Sequence, residues 1–204
     1  MKRKDATRPL EIPSADDAIP ELTAWLQAQD APLRARVQPH FAAEPPTLYL
    51  DTTIVSRLVG WLKRDTLIAR QQTLTREWWR MHRHRHAVFI SDVVIKEASR
   101  GLPELAHQRR EILSPLARLH SSKQTCELAA RILEECRLPA HEYADAHHAA
   151  LTAIHGVKVL LTWNCAHLAN EHMIPRIGRA CEAYGYAAPE ILTPEQLIGA
   201  CAYG

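Results

Sequence analysis

From Pro46 onward, short apolar runs alternate with segments of helical periodicity. Leu48–Asp51, Val88–Ser91, Leu116–His120 and Lys158–Thr162 are each predicted to form a strand, and Glu190–Leu192 a last edge strand. Val55, Leu58, Val59 and Leu62 recur at helical spacing, and residues 66–86 form a long polar stretch of helix-favouring residues. Asp92–Gly101 predicts a short helix stopped by its glycine, and Glu104–Leu113 and Lys123–Cys136 predict two more. Pro139 opens a helix over Ala140–His155, and Ile174–Tyr184 and the segment from Pro194 complete the set. The apolar runs are continuous rather than alternating, so their strands are buried on both faces. The prediction is an α/β fold, three layers α/β/α, around a central parallel sheet of four to five short strands.

Residues 1–46 read differently. They hold seven of the thirteen prolines, which interrupt helix and ladder alike. This stretch is expected to be an extension with one short helix near Asp17–Gln29, and residues 47–204 the domain. It shows no apolar leader and no run near the roughly 20 residues that cross a bilayer, so a cytoplasmic protein is expected. Five cysteines without a CxxC pair predict reduced, mostly buried thiols rather than a zinc site. Only seven glycines are present, and no glycine-rich phosphate loop is among them, so any chemistry falls to side chains.

Acidic residues stand where ligands gather in an open parallel sheet, at the carboxyl ends of the strands. Asp51 ends the first run, Glu97 lies six residues after Ser91, and Asp145 sits near the start of a helix of Ala, His and Leu. Asn164 follows the fourth run by two residues. Asp51 also suits the cap of the next helix. Asp145 is expected beyond the capping turn, with no lysine or arginine within four residues to neutralise it. Three acids at equivalent strand ends need a common partner, and oxygen ligands indicate Mg²⁺ or Mn²⁺.

These residues carry a resemblance. Leu48–Ser56 resembles the opening strand of PIN domains, and Ile90–Arg100 the segment with their second acid. Asp145-Ala146-His147-His148 resembles their Asp-Ala-x-His helix, and Leu160–Asn170 the segment after their fourth strand. PIN domains are metal-dependent nucleases, and many bacterial members are VapC-type toxins paired with an antitoxin. The resemblance implies an endoribonuclease with Asp51, Glu97 and Asp145 as catalytic and metal-binding acids. It places Asn164 where many members carry a fourth acid, an oxygen ligand without the charge. Thr52, Thr53 and His148 are expected behind the ligands, with His148 as a packing or hydrogen-bonding residue. The partners implied are RNA, an antitoxin and a second copy of the chain.

Charge changes the picture only locally. The chain carries a net +2, but residues 66–86 hold five arginines against one glutamate, beside Trp78 and Trp79. Arg76, Arg80 and Arg83 share one face of an ideal helix and are the candidate substrate-binding groups, with the tryptophans stacking bases. A solvated helix with inward-packing tryptophans is the plainer alternative. Trp25 and Trp61 are expected in the core, and Glu142 is expected to interact with the helix dipole. Two other functions compete with the nuclease: a catalytically weak PIN-fold module binding RNA or protein, and a phosphoesterase, which would lack an Asp-x-Asp nucleophile because Thr52-Thr53 follows Asp51.

Overall fold

The computed structural model of the chain describes residues 45–61 and 66–202. The helix expected near Asp17–Gln29, together with Trp25 and Leu62, lies outside them. Strands β1 (Thr47–Leu50), β2 (Ala87–Ser91), β3 (Ala117–Leu119), β4 (Val159–Leu161) and β5 (Glu190–Leu192) form one sheet in the order β3-β2-β1-β4-β5. All four pairings are parallel. Leu48, Tyr49 and Leu50 of β1 are fully buried, the signature of a central strand covered on both faces.

The helices among the described residues are α1 (Thr52–Val59), α2 (Thr66–Met81), α3 (Asp92–Ala98), α4 (Pro103–Leu113), α5 (Lys123–Glu135), α6 (Tyr143–Ile154), α7 (Ile174–Ala183) and α8 (Pro194–Ala202). Helix α1 packs against α2, α3 and α4, and α2 against α8; α5 packs against α6 and α7. These two groups flank the sheet as a three-layer α/β/α fold. No helix among the described residues is long and apolar enough to cross a membrane.

Local chemistry sets the element ends. Ser122 caps α5 through a reciprocal capping box with Thr125. At the other end of α5, Leu138 N–H donates to Leu133 O and Arg137 N–H to Glu134 O, a closure that needs a left-handed residue. Arg137 occupies it at φ 54°, a conformation that costs a side-chain-bearing residue about 1 kcal/mol. Arg137→Gly is therefore expected to raise the melting temperature by about 2–4 °C, readable by calorimetry. Gly101, at φ 89°, makes the turn from α3 into α4. The buried Arg109 clamps that turn by donating to Ala98 O at 2.8 Å and to Arg100 O.

Several expectations are corrected here. The arginine-bearing stretch is not one helix: α2 ends at Met81, and Arg83–Arg85 form a 3₁₀ turn. Trp78 and Trp79 are buried core residues on a helix that packs against α1 and α8, so they offer no face to a base. Trp61 is 44% exposed, since the chain leaves α1 just before it. The helix after Pro139 starts as a 3₁₀ turn (Ala140–Glu142), so Asp145 falls in the first turn of α6, not beyond it. Cys136 and Cys181 are buried, whereas Cys126 and Cys165 are exposed.

Candidate metal centre

The strand order reverses between β1 and β4, and the crevice outside their carboxyl ends is where open parallel sheets bind ligands. Asp51 follows β1 there, its N–H donating to Leu161 O at 3.1 Å. It is the N-cap of α1 as well as a buried acid, so capping and site roles coincide in one residue. Its Oδ2 accepts from Thr53 Oγ1 at 2.7 Å and from Thr162 Oγ1; Thr53 Oγ1 in turn accepts from Trp163 N–H at 2.8 Å. These hydroxyls fix the carboxylate while leaving Oδ1 with one long bond, from Thr53 N–H at 3.4 Å.

Glu97 is on α3, which Ser91 begins by accepting from Val94 N–H. Glu97 Oε2 accepts from Thr52 Oγ1 at 2.6 Å and is hydrogen-bonded to His148 Nε2 at 3.2 Å. The same His148 nitrogen lies 3.8 Å from Asp51 Oδ1. His148 is fully buried, and its Nδ1 meets the Tyr49 hydroxyl at 2.8 Å, which also contacts Ser91 Oγ at 2.7 Å. One ligand atom each from Asp51, Glu97 and His148 lies within 4.8 Å of the others.

Asp145 belongs to a neighbouring group. Its Oδ2 accepts from Asn164 Nδ2 at 2.8 Å and is hydrogen-bonded to His167 Nδ1 at 2.9 Å. That ring nitrogen is also 3.3 Å from Glu142 Oε2, and Glu142, Asp145 and His167 form the second cluster of this kind. The three predicted acids thus gather at one end of the sheet without sharing one close-set position. Asp145 is still near enough for the Asp51 charge to act on it.

Asn164 holds Asp145 and the loop after β4 together: its Nδ2 donates to Asp145 Oδ2 and its Oδ1 accepts from His167 N–H at 3.1 Å. Arg76 is committed to the fold, donating to Leu58 O at 3.3 Å in the last turn of α1 and to Gly60 O at 2.9 Å just after it. Arg83 is buried with its guanidinium over the Trp79 ring, in the turn leading into β2 at the end of the sheet opposite Ser91. Arg76, Arg80 and Arg83 therefore do not make one open face. His147 is buried, with Nε2 on Ser121 Oγ at 3.0 Å and no partner for Nδ1 among the described residues.

Tyr49, Ser91, Thr162, Glu142 and His167 are the residues sequence reading missed. Tyr49 carried a signal, a hydroxyl two residues before Asp51 and flanked by Leu48 and Leu50. His167 and Glu142 carried none, because their role depends on α6 and the loop after β4 meeting in space.

Burial and charge pull against each other here. Burial pushes the Glu97 carboxyl up, but the hydrogen bond and charge of His148 and the Thr52 hydroxyl outweigh it and hold it below the usual range. Burial pushes His148 down, yet its bond to Glu97 and the charges of Asp51, Glu97 and Asp145 raise it overall. Burial raises Asp145, the Asp51 charge adds to that, and the His167 and Asn164 bonds offset only part. A histidine raised in the folded state contributes stability that is complete below its unfolded pKa of about 6.5 and fades as pH rises through its folded value. Thermal melts of metal-free protein should therefore show His148→Gln most destabilised near pH 5–6, with the gap from wild type narrowing at alkaline pH.

No family model, characterised protein or solved structure matches the chain.

Proposed function

We propose that this chain is a divalent-metal-dependent endoribonuclease of the PIN type. The observation that carries the reading is the pair Asp51 and Glu97 at the sheet's switch point, both buried or half-buried and each fixed by a threonine hydroxyl. Acids placed this way repel each other unless a cation or a proton joins them. Their carboxylate oxygens, clustered with His148 Nε2, fit a small divalent ion.

Asp51 and Glu97 would hold the ion, with Asp145 beside them. When bound, Mg²⁺ or Mn²⁺ supplies Lewis-acid polarisation of a phosphoryl oxygen and makes a nearby water more acidic. Asp145 Oδ1 accepts no hydrogen bond among the described residues, because Asn164 and His167 both use Oδ2. That oxygen would take a proton from an attacking water, a task for which the raised pKa suits Asp145 better than an ordinary aspartate. Thr52, Thr53 and Thr162 keep the carboxylates from rotating out of place. RNA as substrate, a toxin role, an antitoxin partner and a homodimer rest on the resemblance alone.

A second reading, a catalytically weak RNA- or protein-binding module, draws on one observation: His148 Nε2 lies 3.2 Å from Glu97 and 3.8 Å from Asp51, so an imidazolium there would join both acids without any metal. The discriminating experiment offers purified protein single-stranded RNA, the matching DNA and a small phosphomonoester, each with Mn²⁺. Internal cleavage of RNA supports the nuclease. RNA retained but intact favours the binding module, and turnover of the monoester alone favours a phosphoesterase.

A further inference from the structure

The geometry points to His148 as a nitrogen ligand of the metal, which makes the centre a mixed carboxylate–imidazole site with Asp51 and Glu97 rather than an all-oxygen one. This inference rests on the metal-dependent reading above. Ligands about 2.1 Å from one ion lie about 3.0 Å apart at right angles and about 4.2 Å apart across it. The His148 Nε2 distances, 3.2 Å to Glu97 Oε2 and 3.8 Å to Asp51 Oδ1, fall in that interval.

An independent observation comes from the other side of the ring. Metal-bound histidines characteristically donate their second N–H to an outer acceptor, which fixes the ring and its tautomer. The Tyr49 hydroxyl stands 2.8 Å from His148 Nδ1, itself anchored 2.7 Å from Ser91 Oγ. With Nδ1–H donating to Tyr49 and Tyr49 O–H donating to Ser91, the Nε2 lone pair is aimed at the two acids. All three residues are buried, so the relay is built into the core and not shared with water. On binding, the Nε2 proton shared with Glu97 leaves to solvent as the nitrogen–metal bond forms. Asp145 then stands outside the inner ring, on the cluster it makes with Glu142 and His167.

A nitrogen ligand shifts preference from Mg²⁺ toward transition ions. The test is calorimetric titration of metal-free protein with Mn²⁺ and with Mg²⁺, together with pulsed electron paramagnetic resonance of the Mn²⁺-loaded form. Mn²⁺ is expected to bind at least about 10-fold more tightly than Mg²⁺. Directly bonded ¹⁴N coupling is expected in the wild type and absent in His148→Gln, which should lose more than the about 10–100-fold typical of an outer partner. Tyr49→Phe keeps the ring's packing and is expected to weaken Mn²⁺ by about 10-fold, which maintains the test should His148→Gln fail to fold. Tight Mn²⁺ binding with no ¹⁴N coupling would overturn the inference and leave the metal reading standing, as would coupling that persists in His148→Gln and disappears in His167→Gln. No Mn²⁺ binding by the wild type would remove both.

Discussion

Asp51→Asn is expected to lower RNA cleavage by at least about 100-fold while leaving the fold nearly intact. One charge on the ion is removed, and interactions of this kind contribute several kcal/mol to a phosphoryl transition state. The amide keeps a carbonyl oxygen where Thr53 Oγ1 and Thr162 Oγ1 donate, and loses only the long cap bond from Thr53 N–H. Asp51→Ala separates the two jobs of this residue. It leaves both hydroxyls without their carboxylate and uncaps α1, a cost of about 2–4 kcal/mol. Both variants should be inactive, and only the alanine should melt early. Full cleavage by a folded Asp51→Asn protein would place the chemistry elsewhere.

Asp145→Asn should also reduce cleavage by about 100-fold or more, but with the opposite effect on stability. Burial and the Asp51 charge disfavour the Asp145 carboxylate, so the neutral amide relieves a penalty in metal-free protein. An aspartate raised in the folded state carries that penalty above its folded pKa and sheds it as pH falls toward the unfolded value of about 3.9. The variant should therefore melt about 2–4 °C higher for each kcal/mol relieved at neutral pH, and the advantage should vanish in acid. Metal should narrow the gap as well, because a cation held by Asp51 and Glu97 offsets the Asp51 charge that disfavours the wild-type Asp145 carboxylate. A melting temperature unchanged or lowered at neutral pH would mean that the bonds from Asn164 and His167 outweigh the repulsion.

The central strands were legible because β1 and β4 are short, almost wholly buried apolar runs, and the carboxyl ends of β1 and β2 then located Asp51 and Glu97. Helix boundaries read less well. Proline at 139 starts a turn, not the helix, and that moved Asp145 into the first turn of α6. What no periodicity reveals is contact between remote positions. Tyr49 and His148 are 99 residues apart, and Asp51 and Thr162 are 111 apart, yet these pairs decide how the carboxylates and the imidazole point. The arginine stretch misled for a related reason: composition marked it as a charged face, while Arg76 is taken up by carbonyls at the end of α1 and Arg83 by the Trp79 ring. A guanidinium's employment depends on what lies across from it.

The most direct measurement is cleavage of single-stranded RNA by purified protein stripped with EDTA and then supplied with Mn²⁺ or Mg²⁺, with Asp145→Asn protein run beside it. Internal fragments that appear only with metal, and only from the wild type, are the predicted result. Equal fragments from both proteins, or fragments that persist in EDTA, would contradict a metal-dependent nuclease built on Asp51, Glu97 and Asp145.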